Sequence, residues 1–148
     1  MRLVVQRVGR ASVREGSELL GEIGPGALVL AGIGRDDSPD VVDRMADKLI
    51  GLRYFDDDDG RTNLAIADAG GSLLVVSQFT LYADLGRGRR PGFTQAALPD
   101  VAVPLIDRFV DRLRLSAPVE TGRFGAEMAV ELVNDGPFTL VIDSDRDL

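Results

Sequence analysis

Three short segments of the 148-residue chain carry polar groups in patterns that suggest chemistry. Ser77-Gln78-Phe79-Thr80-Leu81-Tyr82 follows the apolar run Leu73-Leu74-Val75-Val76. Hydroxyls and an amide at the exit of a buried strand must find partners or line a pocket. Asn134-Asp135-Gly136-Pro137-Phe138-Thr139 lies between two strand-like stretches. Its residues suit a tight hairpin turn. An X-Pro bond is also cis at a cost of only about 0.5–1 kcal/mol relative to trans, and a cis bond would present adjacent carbonyl oxygens as a rigid pair of acceptors. Arg87-Gly88-Arg89-Arg90-Pro91 sets three arginines in five residues, and arginine forks bind phosphate well. Each segment alone also has a plain structural reading: a strand leaving the core, a turn, a solvated loop.

The missing residue types narrow the chemistry. The chain has no cysteine, which removes disulfides, thiolate metal sites and Cys nucleophiles. It has no histidine, which removes the Ser-His-Asp triad, the His-based zinc hydrolases and the zinc deaminases. Lys48 is the only lysine, on a predicted surface helix, so a Ser–Lys dyad has one poor candidate. No metal site and no cofactor is expected. The net charge of −7 argues against broad nonspecific binding of nucleic acid but allows a local basic contact. No apolar run approaches the roughly 20 residues that span a bilayer, and the N-terminal stretch is too short for a signal peptide. A cytoplasmic location with no membrane partner is expected.

The elements that must position these segments read as α+β in one domain over residues 1–148, with 143–148 as a flexible tail. Ser38-Pro39 is a helix start, an N-cap followed by Pro at the first helical position. Val41, Val42, Met45, Ala46, Leu49 and Ile50 then share one face. A second helix begins near Pro99-Asp100, with Leu105, Ile106, Phe109, Val110 and Leu113 as its stripe and Pro104 expected in or before its first turn. Strands are predicted at Leu3–Val8, Ala11–Arg14, Leu19–Ile23, Ala27–Ile33, Arg53–Phe55, Ser72–Phe79, Met128–Val133 and Phe138–Ile142. This predicts a curled, barrel-like sheet with two main helices packed outside. Asp56-Asp57-Asp58-Asp59-Gly60 fails as a calcium loop, because the EF-hand register puts Phe55 at its first position and Ile66 at its last. A solvated acidic turn fits it better. Gly86-Arg87-Gly88 lacks the third glycine of a dinucleotide fingerprint.

Taken together, the segments resemble the D-aminoacyl-tRNA deacylases, also called D-tyrosyl-tRNA deacylases. The matching stretches are Gln6-Arg7-Val8 with Ala11-Ser12-Val13, then Gly70-Gly71-Ser72 through Ser77-Gln78-Phe79-Thr80-Leu81. They continue with Arg87-Gly88, Arg90-Pro91 and Thr121-Gly122-Arg123-Phe124, and end with Asn134-Asp135-Gly136-Pro137 and Thr139. They run in family order over nearly the whole chain. Phe138 stands where a smaller β-branched residue is common in the family, and Asp143–Leu148 extends past its usual end.

The resemblance implies hydrolysis of the ester joining a D-amino acid to the terminal ribose of tRNA, and removal of glycine as well. It implies a barrel-like α+β fold and a homodimer with its active sites at the interface. Ser77, Gln78, Phe79 and Thr80 would carry the chemistry. Gly136 and Pro137 would enter the partner's pocket with Arg7 holding them, and Asn134, Thr139 and Leu81 would help shape the site. Phe124 and Met128 are candidates for the terminal adenine. Arg87, Arg89 and Arg90 would meet phosphates of the acceptor end. The job suits a chain without histidine. An aminoacyl ester is activated, and its vicinal 2′-hydroxyl can assist, so the protein's part reduces to orientation, worth about 7–11 kcal/mol at best. Backbone N–H groups near Phe79 and Thr80 would then stabilise the oxyanion. The rival readings are an acyl-ester hydrolase with Thr80 or Ser77 as nucleophile, which needs a base, and a noncatalytic RNA-binding dimer.

Overall fold

Strand-forming residues fill most of the first 32 positions, and they build one long bent hairpin. In the computed structural model, which describes residues 1–86 and 88–148, β1 (Arg2–Glu15) pairs antiparallel with β2 (Glu18–Ile23) and β3 (Gly26–Gly32). The register runs through both: Arg2 faces Gly32 and Val8 faces Gly26, then Ala11 faces Ile23 and Val13 faces Gly21. The two strands predicted at Leu3–Val8 and Ala11–Arg14 are therefore one. Exposed Gly9 and Arg10 look like a break in the sequence, but they stay extended.

Parallel pairs need crossovers, and the two helices supply them. β3 runs parallel to β6 (Ser72–Ser77) after α1 (Pro39–Gly51) and a separate hairpin of β4 (Arg53–Asp56) and β5 (Thr62–Ala65). β6 runs parallel to β7 (Val119–Thr121) after α2 (Pro99–Arg114). β8 (Ala129–Asp143) then lies antiparallel along the other edge of β1. Gly21 of β2 packs on Thr121 of β7 and Leu74 of β6, so the sheet curls almost closed. The α+β, barrel-like architecture with two main helices is as the sequence predicts.

Period-two patterning divides the interior in two. Leu3, Val5, Ala27, Val29, Leu73 and Val75 face the helices, against Val42, Met45, Leu49, Leu105, Phe109 and Leu113. Val8, Ala11, Val13, Leu28, Leu74 and Val76 fill the inside of the curl. β6 is thus apolar on both faces, as a central parallel strand must be. Ser38 caps α1 through its Oγ, which accepts from the Val41 amide at 3.4 Å, with Pro39 in the first turn. Paired forks join the helices outside: Arg108 to Asp43 at 2.7 and 2.6 Å, and Arg112 to Asp47 at 2.7 and 2.9 Å. The Arg108 guanidinium holds the Asp43 carboxyl below the usual carboxylate range.

Four local expectations change. The strand predicted to Phe79 ends at Ser77, and Phe79–Tyr82 forms a 3-10 turn. Pro104 lies inside α2 rather than in its first turn. The carbonyl it leaves without an N–H partner belongs to exposed Asp100, where water can serve it. β5 and β7 are additional strands, three or four residues long, that carry Thr62, Asn63, Glu120 and Thr121 in place of an apolar pattern. Where a tail is expected, Ser144–Asp147 make one helical turn (α3), and the Met1 amine donates to Ser144 Oγ at 2.6 Å.

The tightest backbone approach is at the β3–β6 crossing. A Cβ on Gly26 would lie 1.9 Å from the Ser72 carbonyl oxygen, whereas one on Gly9 meets nothing within 4 Å. Gly26→Ala should therefore cost at least the upper end of the about 1–3 kcal/mol seen for overpacking. Gly9→Ala should stay within about 0.5 kcal/mol of wild type. Urea unfolding of both variants checks this, and equal midpoints would contradict it.

Candidate functional site

The apolar strand β6 delivers its polar exit residues to the rim of the curl. The Gln78 amide donates to the Ala31 carbonyl at 2.8 Å, which ties the exit to β3. The chain then tightens into the 3-10 turn, closed by the Leu81 amide on Gln78 O at 3.2 Å and the Ala83 amide on Thr80 O at 3.1 Å. The first N–H groups of such a turn have no partner within it. Among the described residues, neither the Phe79 nor the Thr80 amide has a hydrogen-bond acceptor, and both residues are exposed. Gln78 Nε2 donates to Thr80 Oγ1. The hydroxyl thus faces an amide donor, and among the described residues no side chain accepts its proton.

Ser77, Gln78 and Phe79 wall a cleft of about 260 Å³ opposite Phe124, Met128 and Val130. A second cleft of about 310 Å³ shares Ser77 and Phe124 and reaches Thr121, Ile106 and Arg114. Phe79 is 55% exposed and meets Phe93 edge-on, with ring centroids 5.0 Å apart. Arg123 reaches back to Glu15 and Glu18, which anchors the segment bearing Phe124 to the β1–β2 turn. The structure thus brings Phe124 and Met128, distant in sequence, against Ser77–Phe79. Thr80 stands on the exposed turn beside the cleft. Half-buried Leu81 turns inward: its Cβ would lie 3.1 Å from a Cβ on Gly32, and its carbonyl accepts from Arg2 at 3.0 Å.

The Asn134–Thr139 segment is not a hairpin. Both flanks pair with the same strand in the same sense: Val8 faces Asn134, and Gln6 faces Thr139. Four residues of β8 therefore stand opposite one residue of β1, and the surplus loops out as a wide bulge. Turn chemistry reads alike in the two cases, and only the partner strand distinguishes them. The Gly136–Pro137 peptide is cis, and Gly136 has φ of 130°, a conformation that favours glycine. Gly136 and Pro137 are exposed. Asn134 closes the neck, donating from Nδ2 to Arg7 O at 2.8 Å and Phe138 O at 3.0 Å. Gln6 donates to Thr139 Oγ1 at 3.2 Å.

Beneath the bulge lies Arg7, only 8% exposed. Its Nε donates to Asp135 O at 3.2 Å, and its Nη1 to Tyr54 O at 3.0 Å. Its charge is matched by Asp56 at 3.3 Å and Asp135 at 3.5 Å. Sequence reasoning missed Tyr54 and Asp56, because Asp56 opens the acidic turn and nothing local links it to Arg7. The rest of that turn is self-contained: Asp57 Oδ1 accepts from the Asp59 and Arg61 amides at 3.1 and 2.9 Å. Burial pushes the Tyr54 and Tyr82 phenols upward, so neither serves as a base near neutrality.

Within one chain the bulge lines neither cleft: Val130 of the same strand lines the one walled by Ser77–Phe79, but no residue of Asn134–Thr139 lines either. Arg89 and Arg90 are exposed on a loop closed by mutual Asp84–Gly92 backbone bonds of 2.7 and 2.9 Å. Among the described residues neither makes an ion pair. Arg87 lies outside the described residues. No helix among them is long and apolar enough to cross a membrane.

The sequence and the fold recur in known proteins. The chain is 56% identical to the D-aminoacyl-tRNA deacylase of Symbiobacterium thermophilum, covering 99% of this chain and 97% of that one. It is 56% identical to that of Chlorobaculum parvum, covering 99% of both. A solved structure titled c-Myc DNA unwinding element binding protein superposes with a TM-score of 0.91 at 37% identity, over 97% of this chain and 98% of that one. A second, titled as a probable eukaryotic D-amino acid tRNA deacylase, matches with a TM-score of 0.80 at 19% identity, over 95% and 97% of the two chains, and shares the fold. The family model described as D-Tyr-tRNA(Tyr) deacylase matches residues 4–143. With its fold, its motifs and nearly its full length matched, the chain belongs to the D-Tyr-tRNA(Tyr) deacylase family.

Proposed function

We propose that the protein hydrolyses the ester between a D-amino acid and the terminal ribose of tRNA, as a homodimer in the cytoplasm whose sites are each built from two subunits. The observation that carries this reading is the separation of the two motifs. No residue of the exposed Gly136-Pro137 bulge lines either cleft beside Ser77, so a site using both motifs takes one of them from a second copy. A C2 dimer makes the exchange reciprocal.

The Phe79 and Thr80 amides, free of internal acceptors, suit the oxyanion of an ester attacked by water. Thr80 lacks a base, and its hydroxyl accepts from Gln78, which favours assistance by the ribose 2′-hydroxyl over a Thr80 nucleophile. The carbonyls of the partner's Gly-Pro pair hold the α-amino group and leave no room for an L side chain, so selectivity comes from exclusion. Glycine has nothing to exclude, and glycyl-tRNA, including glycine mischarged on tRNA-Ala, is a second substrate. Arg89 and Arg90, with Arg87, meet acceptor-end phosphates.

Deacylation assays on matched substrates test the reading. D-tyrosyl- and glycyl-tRNA should be hydrolysed, and L-tyrosyl-tRNA slower by at least about a hundredfold; equal D and L rates would refute exclusion, and tRNA binding without turnover would favour a binding module. Thr80→Ala should keep at least a tenth of kcat/KM, whereas loss of a true nucleophile costs on the order of 10⁶ in kcat. A folded, tRNA-binding but inactive Thr80→Ala enzyme, or an acyl-enzyme trapped on Thr80 or Ser77, would establish the rival mechanism. Mixing a Gly136→Trp variant with a Gln78→Ala/Phe79→Ala variant should restore about a quarter of wild-type activity, since half the dimers then hold one intact site. No recovery would place the whole site within one chain. Arg89→Ala/Arg90→Ala should flatten the slope of log K against log salt by about 1.4–1.8.

A further inference from the structure

The β4–β5 hairpin lines neither cleft beside Ser77, yet it reaches the residues that hold the Gly136-Pro137 bulge, Arg7 and Phe138. Asp56 Oδ2 lies 3.3 Å from Arg7 Nη1, while the Tyr54 carbonyl accepts from the same nitrogen at 3.0 Å. The Tyr54 ring stacks toward Phe138 at 6.3 Å, and Phe138 lies 5.2 Å from the Arg7 guanidinium. Behind Asp56, the Thr62 hydroxyl donates to Oδ1 at 3.0 Å, so both carboxylate oxygens are committed. A guanidinium is planar and rigid. Fixing Nη1 therefore fixes Nε, which holds Asp135 O at 3.2 Å, and Nη2, which lies against Gly136.

We infer that Asp56, braced by Thr62, is a positioning residue that sets D-over-L selectivity by holding the Gly-Pro bulge through Arg7. The inference rests on the deacylase reading above. Exclusion works by contact, so it demands a wall that does not yield. A carbonyl pair that shifts by several tenths of an ångström admits an L side chain and also misplaces the D substrate. Asp56 touches neither substrate nor reacting atoms; it acts through Arg7.

The test compares Asp56→Asn, which keeps the shape and removes the charge, with Thr62→Val, which leaves the carboxylate but removes its brace. Asp58→Asn, in the same turn, is the control. The readout is the ratio of kcat/KM for D-tyrosyl- and L-tyrosyl-tRNA, measured at enzyme excess for the slow substrate, with thermal midpoints recorded alongside. Asp56→Asn should lower the ratio at least tenfold, Thr62→Val less, Asp58→Asn not at all, and Asp56→Glu should recover part of the loss. Equal losses toward D, L and glycyl substrates at a constant ratio would mean a merely structural role and would overturn the inference. So would folded Asp56→Asn and Thr62→Val enzymes with ratios within twofold of wild type. A wild-type protein that fails to hydrolyse D-tyrosyl-tRNA would overturn the deacylase reading and this inference together, whereas an active wild type with unaltered variants overturns the inference alone.

Discussion

A cation under a strand is the constraint around which this molecule is arranged. Arg7 points from β1 into a layer otherwise built of Leu3, Val5, Tyr54 and Phe138. A guanidinium there is costly unless its donors and its charge are met. Two carbonyls and two carboxylates meet them, from β4 on one side and β8 on the other. Lysine would not substitute, because a single ammonium cannot serve acceptors on opposite sides in one plane. The requirement to satisfy Arg7 thus joins three segments remote in sequence.

The bulge belongs to the same event. Leu3 and Val5 face the helices, whereas Val8, Ala11 and Val13 face the inside of the curl, so β1 changes the face it presents between Arg7 and Ala11. The register against β8 breaks twice here: β8 carries its surplus opposite Arg7, and β1 then carries the extra residue Gly9 between Val8 and Arg10, which turns Ala11 and Val13 to the curl. Bulges increase local twist and re-aim side chains. Here the stretch opposite Arg7 is Asp135-Gly136-Pro137-Phe138, with Gly136 and Pro137 exposed and Phe138 packed back against the core. The turn of β1 and the presentation of the Gly-Pro pair are thus neighbouring irregularities of one strand pair.

What the sequence disclosed follows the range of the forces involved. Ser38-Pro39 marks the start of α1, because a cap is satisfied within three residues. Leu73–Val76 declares β6, since burial on both faces leaves no polar position. The fate of Asn134–Thr139 was ambiguous, as the same turn residues serve a hairpin or a bulge, and only pairing with Gln6 and Val8 decides. β5 and β7 were invisible, for Thr62-Asn63 and Glu120-Thr121 are strand residues only through their partners. In the candidate site, the Ser77–Leu81 and Gly136-Pro137 segments were legible as motifs. The meeting of Phe124 and Met128 with Phe79 was not legible, since no local pattern joins segments so far apart in sequence, and the link from Asp56 to Arg7 left no local trace, since an aspartate in an acidic turn looks solvated.

The absence of histidine and the rigidity of the bulge suit one another. Under the proposed reading, the enzyme must tell D- from L-aminoacyl-tRNA although both carry the same activated ester. A strong general base near the ester would also speed hydrolysis of any L substrate that entered briefly, so catalytic power and fidelity would conflict. A site where, among the described residues, the Phe79 and Thr80 amides lack acceptors and no side chain takes the proton of the Thr80 hydroxyl held by Gln78 would give the ester mainly orientation and oxyanion stabilisation. Such help is steeply dependent on geometry, and a substrate that cannot seat fully gains little from it. Under that reading discrimination reduces to whether the wall lets the substrate seat, and the packing under Gly136 would then weigh more than any proton-transfer group.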